Sequence, residues 1–342
     1  MHPTNLRISR RLTFVGPIVA GILALALAGC STTTAKNETS SHNEPSGTWP
    51  ITMQHQFGET VIPAPAERIV VTGTTDTDVL LALGITPVAF PQWISDWERG
   101  VGPWSLNDLG SADPKLLTFR ELNFEDIAAT NPDLILSTGT QLTQTDYEKL
   151  SGLAATVAPV AGYTDAYLVP WDVRTVQVGE AVGKKDEAQQ LVTQAKDAFA
   201  DAVTEHPDWE GLTAVTVISM NGEFGVYAPT DNRGRFMDSL GFGATKEAAE
   251  ITGDEFWGAV SEERLDLLDT ADVIVVLEGN DAAQEAFANS STFQQLSAVK
   301  EGRIVEVTDE DTVMAMSAST VTSIPYALER LVPEIEKAVQ GD

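Results

Sequence analysis

The chain is poor in the residues that hold metals and run redox chemistry: its 342 residues include one cysteine and four histidines. The lone Cys30 excludes an intramolecular disulfide and any cysteine-based zinc or redox pair, so stability must come from an apolar core. His2 and His42 lie near the N-terminus. That leaves His55 and His206, too few for the cluster of histidines and carboxylates that zinc or manganese carriers use. Met314 and Met316 alternate in an apolar segment, a spacing that serves packing more often than copper. Catalytic motifs are missing as well. There is no G-x-S-x-G elbow and no H-E-x-x-H. The run from Gly179 to Lys184 falls one residue short of a Walker A loop, lacks its final Ser or Thr, and reads as a helix end. Acid pairs such as Glu262 and Glu263 carry little weight among 50 acidic residues. An enzyme is therefore not expected. Only 21 basic residues oppose those acids, and the formal charge of -29 argues against nucleic acid as a partner.

What is present begins with Arg7, Arg10 and Arg11, followed by an apolar run from Leu12 to Leu27 that Gly16, Pro17 and Gly21 interrupt. Charge followed by an apolar run is the order of a signal peptide, here residues 1–29. A single transmembrane helix is the alternative, and the run is barely long enough for one at about 18–20 residues. Small residues directly before the only cysteine favour cleavage. The end of the run, Leu27-Ala28-Gly29-Cys30, resembles the lipobox of bacterial lipoproteins, which implies a diacylated Cys30 as the membrane tether. Losing three arginines with the leader makes the chain more acidic still, so adsorption to an anionic membrane surface would need that lipid. Residues 30–48, rich in Ser, Thr, Asn, Glu and Gly, read as a flexible spacer. The expected location is the extracytoplasmic face of the cell membrane.

From Trp49 onward, short β-rich runs alternate with helical stretches, the pattern of an α/β protein. Strands are expected over 68–71, 87–90, 133–136 and 156–160, with helices over 76–83 and 124–129. The interval 91–118 reads as one long loop carrying Trp93, Trp97, Arg99 and Trp104, and loops of that length are usually functional or mobile. A helix over 174–182 should end at Gly183. The next, over 186–203, places Ala188, Leu191, Val192, Ala195, Phe199, Ala202 and Val203 on one face, with Asp186 as N-cap. Strands over 215–219, 273–277 and 303–307, a helix over 235–240 and a closing helix over 325–339 complete the series. The expected architecture is two Rossmann-like lobes with mainly parallel sheets, 49–173 and 206–342, joined by a helical connection over 174–205 with a single long interdomain helix. Neither Gly nor Pro lies between residues 186 and 205, so that helix is a poor hinge.

Several stretches, in this order and spacing, resemble the iron-siderophore and vitamin B12 class of solute-binding proteins of ABC importers. They are Arg68-Ile69-Val70-Val71 leading to Leu80 through Val88, Leu122-Asn123-Phe124-Glu125, and Asn131 through Leu136. In the second half they are Trp257 through Leu265 and Leu296 through Arg303. Asp231-Asn232-Arg233-Gly234-Arg235-Phe236 and Pro170-Trp171 resemble the actinobacterial siderophore-binding branch. The resemblance implies a monomer with an interlobe cleft that closes only slightly. It also implies that iron arrives already chelated, with no resident cofactor or metal. Haem, with Tyr163, Tyr167 or Tyr227 as axial ligand, or a corrinoid, is the alternative cargo.

In open parallel sheets, ligands sit beyond the carboxyl ends of the strands. The candidates there are Trp93, Trp97, Arg99, Trp104, Arg120, Thr140, Gln141 and Trp171 from the first lobe. Tyr227, Arg233, Arg235 and Trp257 come from the second. Arginine offers a forked, charge-assisted donor to hydroxamate, carboxylate or catecholate oxygens, and aromatic rings offer apolar faces. Trp104 and Trp171, next to prolines, also suit packing. The resemblance singles out Arg120, because hydroxamate-siderophore binders of this class place an Arg just upstream of the N-x-E helix. It also matches Glu125 and Glu263 to the acidic residues, one per lobe, presented to the permease.

Overall fold

The computed structural model describes residues 47–163, 165–220 and 222–341. The segment expected as leader and most of the expected spacer, with Cys30, the expected lipidation site, lie outside the described residues. Among the described residues no helix is long and apolar enough to cross a membrane.

A hairpin of β1 (Ile51–His55) and β2 (Gly58–Ile62) opens the fold. A parallel sheet follows, in the order β5-β4-β3-β6-β7, built from β3 (Ile69–Val71), β4 (Ala89–Gln92), β5 (Lys115–Thr118), β6 (Leu134–Leu136) and β7 (Ala155–Val157). Both faces of this sheet are covered. Val70 and Ile135 enter one core, while Ile69, Val71, Leu134 and Leu136 enter the other, as period-2 alternation requires. The second lobe holds a six-stranded mixed sheet. Its members are β8 (Thr213–Met220), β9 (Glu223–Tyr227), β10 (Gly243–Ala244), β11 (Trp257–Val260), β12 (Val273–Leu277) and β13 (Ile304–Val307). Here β8, β12 and β13 run parallel, while β9 and β11 run antiparallel and were not expected from the sequence.

Two helices tie the lobes together. The helix Lys185–Glu205 buries Ala188 in the core of the first lobe and Val192, Ala195, Phe199 and Ala202 in that of the second. It runs unbroken for 21 residues. Lys184 rather than Asp186 occupies the N-cap, and Asp186 sits in the first turn, where the helix dipole favours a carboxylate. The preceding helix, Trp171–Ala181, begins three residues earlier than the sequence suggests and inserts Trp171 into the core of the second lobe. Gly179 is a packing residue between the two helices. A Cβ there would collide with that of Ala188, which gives the Walker-like glycine a structural reason.

The interval 91–118 is not a bare loop. It holds a helical turn, Leu106–Leu109, and the edge strand β5, whose largely exposed residues carry little apolar signal. Glu263 stands in a 3₁₀ segment, Glu262–Thr270.

At the carboxyl end of β12, Glu278 is buried beside Glu306, and burial together with that neighbour raises its pKa from 4.5 to about 7. The folded protein therefore favours the neutral acid. This contribution to stability is complete below about pH 4.5 and is lost as pH rises through about 7. Glu278→Gln, neutral throughout, is expected to remove that slope and to raise the unfolding free energy at pH 8 by on the order of 1–2 kcal/mol. Urea denaturation at pH 5 and pH 8 measures both effects.

Candidate functional site

The carboxyl ends of β3, β5 and β6 open onto a cavity of about 450 Å³. Its floor is backbone. A Cβ on Gly73 would lie 3.0 Å from the Gly139 carbonyl carbon and one on Gly139 3.0 Å from the Thr75 hydroxyl, so a side chain at either position would crowd its neighbours. Beneath them the buried Asp76 accepts bonds from the Thr138 N–H at 2.9 Å and the Thr138 hydroxyl at 2.7 Å. Burial pushes the Asp76 pKa up, while Arg174 and those bonds pull it down. Arg174 is itself buried, and this lowers its pKa against the opposing field of Asp76. Its guanidinium donates to the Thr75 hydroxyl at 2.8 Å and the Ala166 carbonyl at 2.7 Å, which fixes the floor to the segment leading into the helix Trp171–Ala181.

Arg120 stands on the rim of this cavity. Its backbone is left-handed, with φ at 65°, and its guanidinium lies 5.0 Å from the Phe119 ring centroid. Among the described residues it forms no ion pair, with Glu121, Glu125 or any other acid. Thr140 and Gln141 also line the cavity. The Thr140 hydroxyl lies 2.9 Å from that of Thr72, and the Gln141 side-chain oxygen accepts from the Ala166 N–H at 2.9 Å.

The three tryptophans of the 91–118 interval form an edge-to-face chain leading away from the cavity. Trp93 meets Phe119 at 6.3 Å between ring centroids and Trp97 at 6.0 Å, and Trp97 meets Trp104 at 5.1 Å. Trp97 and Trp104 face the second lobe. The Trp97 indole N–H donates to Asp311 at 2.7 Å, and Trp104 packs edge-on against Tyr326 while donating to Asp78 at 2.7 Å. Arg99 turns onto its own loop, donating to the carbonyls of Gly110 and Ala112, and Trp171 is buried in the core of the second lobe. Neither lines the cavity.

The four candidates of the second lobe gather separately. The Arg233 guanidinium lies 4.1 Å from the Tyr227 ring centroid and donates to both oxygens of Asp231 at 3.0 and 3.1 Å. Tyr227 pairs with Trp257 across β9 and β11. Tyr227 and Arg235 border a second cavity of about 280 Å³ inside this lobe. Arg235 also reaches the first lobe, donating to the Leu168 carbonyl at 2.8 Å. Tyr167 lines the first cavity and tilts against Phe256, with centroids 5.6 Å apart, so residues 166–169 form the seam between the two groups.

Sequence reasoning passed over Thr72 and Thr74 as site residues, although the Thr-Gly-Thr-Thr run directly after β3 obeys the strand-end rule. It also passed over Asp76 and Asp78, which look like ordinary first-turn acids of the helix Asp76–Ala82. Glu125 lies exposed in the first turn of the helix Phe124–Ala128, which Asn123 caps. Glu263 is fully exposed, and bonds from its own backbone N–H and the Ser261 hydroxyl lower its pKa. Among the described residues no group of three or more His, Cys, Asp or Glu side chains converges as a metal site.

Comparison with known proteins gives a consistent picture. The "Probable siderophore-binding lipoprotein YfiY" of Bacillus subtilis is 29% identical over 321 residues, covering 89% of this chain and 92% of the relative. A periplasmic solute binding protein of Mycobacterium smegmatis superposes with a TM-score of 0.76 at 29% identity, covering 85% of this chain and 99% of the other. PiaA of Streptococcus pneumoniae, solved in complex with ferrichrome, superposes with a TM-score of 0.72 at 26% identity, covering 85% and 99%. The model of the periplasmic binding protein family matches residues 69–310, and with two α/β lobes joined by a long helix, the chain belongs to that family.

Proposed function

We propose that this chain binds a ferric siderophore between its lobes outside the cytoplasm and delivers it, without chemical change, to the permease of an ABC importer. The observation that carries this reading is the strand-end cavity, with Arg120 on its rim, free of any ion pair among the described residues, and hydroxyls and aromatic rings around it. A forked cation beside aromatic rings suits the oxygen donors of a ferric chelate. The named function of the Bacillus relative and the ferrichrome held by PiaA support the same cargo class. The lipid anchor at Cys30 completes the reading, because a receptor tethered near its permease raises their effective concentration. Titration of tryptophan fluorescence with ferric chelates is the direct test. Saturable quenching with the chelate recovered intact is expected, whereas consumption of the chelate would point to an enzyme.

Three variants check separate parts. Arg120→Ala is expected to weaken chelate binding at least tenfold, about 1.4 kcal/mol, and calorimetry reads it directly. Cys30→Ala should leave the membrane fraction; retention there at high salt would refute the anchor. Glu125→Ala combined with Glu263→Ala should keep chelate affinity and lose uptake in cells, since one exposed acid per lobe lets basic residues of a permease recognise the loaded form. Normal uptake at normal expression would reduce both to ordinary surface acids.

A further inference from the structure

Resting on that siderophore reading, we propose that the cleft is matched to a ferric chelate of near-zero net charge, the tris-hydroxamate class. On this view it discriminates against multiply anionic catecholate chelates. The argument is the distribution of charge around the cavity. Arg120 is the one cation among its lining residues, and two carboxylates, Glu121 and Asp146, share the wall with it. Asp146 accepts from the Thr143 hydroxyl at 2.6 Å and the Thr143 N–H at 3.3 Å, and among the described residues neither acid has an ion-pair partner. The wall therefore holds more fixed negative than positive charge.

The other arginines near the seam lie outside this wall. Arg233 donates to both oxygens of Asp231, Arg174 is buried in the field of Asp76, and Arg235 donates to the Leu168 carbonyl with Asp231 and Asp172 in its field. Beyond them lies a chain of formal charge -29, whose summed potential repels an approaching polyanion. The remaining polar groups of the wall are neutral: the hydroxyls of Thr72, Thr74, Thr118 and Thr140 and the amide of Gln141. These can hydrogen-bond to chelate oxygens without supplying countercharge. Ferric iron held by three singly charged hydroxamates is neutral, whereas three doubly charged catecholates leave three negative charges on the complex. Moving those charges onto a wall that offers one cation against two carboxylates leaves most of them desolvated and unpaired.

The test compares chelates in the purified protein by tryptophan quenching. The tighter of two tris-hydroxamates, ferrichrome and ferrioxamine, should bind at least about 100-fold more tightly than a ferric tris-catecholate. Glu121→Arg should narrow that ratio at least about tenfold, by tightening the catecholate. A tris-catecholate that binds the unaltered protein as tightly as the hydroxamates overturns the charge assignment and leaves the ferric-chelate reading in place. A ratio unmoved by Glu121→Arg overturns the assignment of that selectivity to this wall. Failure of every ferric chelate to bind overturns the siderophore reading itself.

Discussion

The carboxylate of Asp78 is buried and, among the described residues, has no ion-pair partner, yet it joins three parts of the molecule. It accepts the Trp104 indole N–H at 2.7 Å, the Ser105 hydroxyl at 2.8 Å and, from the second lobe, the Thr320 hydroxyl at 2.8 Å. Burial raises its pKa, and those three bonds oppose the rise. A buried acid in this position tolerates poor geometry badly, because each bond it loses leaves an acceptor that water cannot reach. Trp97 donating to Asp311 and Ser105 meeting Thr322 at 3.1 Å reinforce the same junction. The spacing of the lobes at this edge is therefore set by polar bonds of defined length on top of apolar contact.

That junction and the cavity are linked by aromatic rings. Phe119 borders the cavity, Trp93 touches Phe119, and the ring chain runs through Trp97 and Trp104 to Tyr326. The tryptophans thus serve less as walls for a ligand than as the packing that carries the cavity rim to the lobe junction. The helix Lys185–Glu205, with Ala188 packed on Gly179, is a second connection between the lobes.

The sequence made the interior of the fold readable wherever a strand is buried on both faces. The strand Val273–Leu277 falls where its apolar run predicts, and the amphipathic spacing of residues 186–203 gives the connecting helix to within two residues at each end. Edges were harder to read. Lys115–Thr118 lies half in water, and Glu223–Tyr227 is interrupted by Gly225. That glycine is required because the Trp257 indole lies where its Cβ would be, a contact between strands that no local pattern reveals. The site was readable by type and only partly by place. Strand ends located Arg120, Thr140 and Gln141 at the cavity, but side-chain direction decided Arg99, Trp97 and Trp104. A loop sequence does not encode direction apart from its packing. Nor does the pattern Thr-Asp-Thr-Asp over residues 75–78 show that its acids point inward to Thr138 and Thr320.

The left-handed backbone of Arg120 carries a consequence of its own. A residue with a Cβ held at a φ of 65° gives up on the order of 1 kcal/mol relative to an ordinary turn. Glycine would relieve that strain and remove the guanidinium. The chain keeps the strain, so the direction of this side chain from the rim is set by the fold before any ligand arrives. If Arg120 meets the ligand as proposed, an incoming ligand has to freeze the rotamers of one arginine and not a length of loop as well. Such preorganisation lowers the entropic cost of capture, the feature a receptor needs when its cargo is scarce.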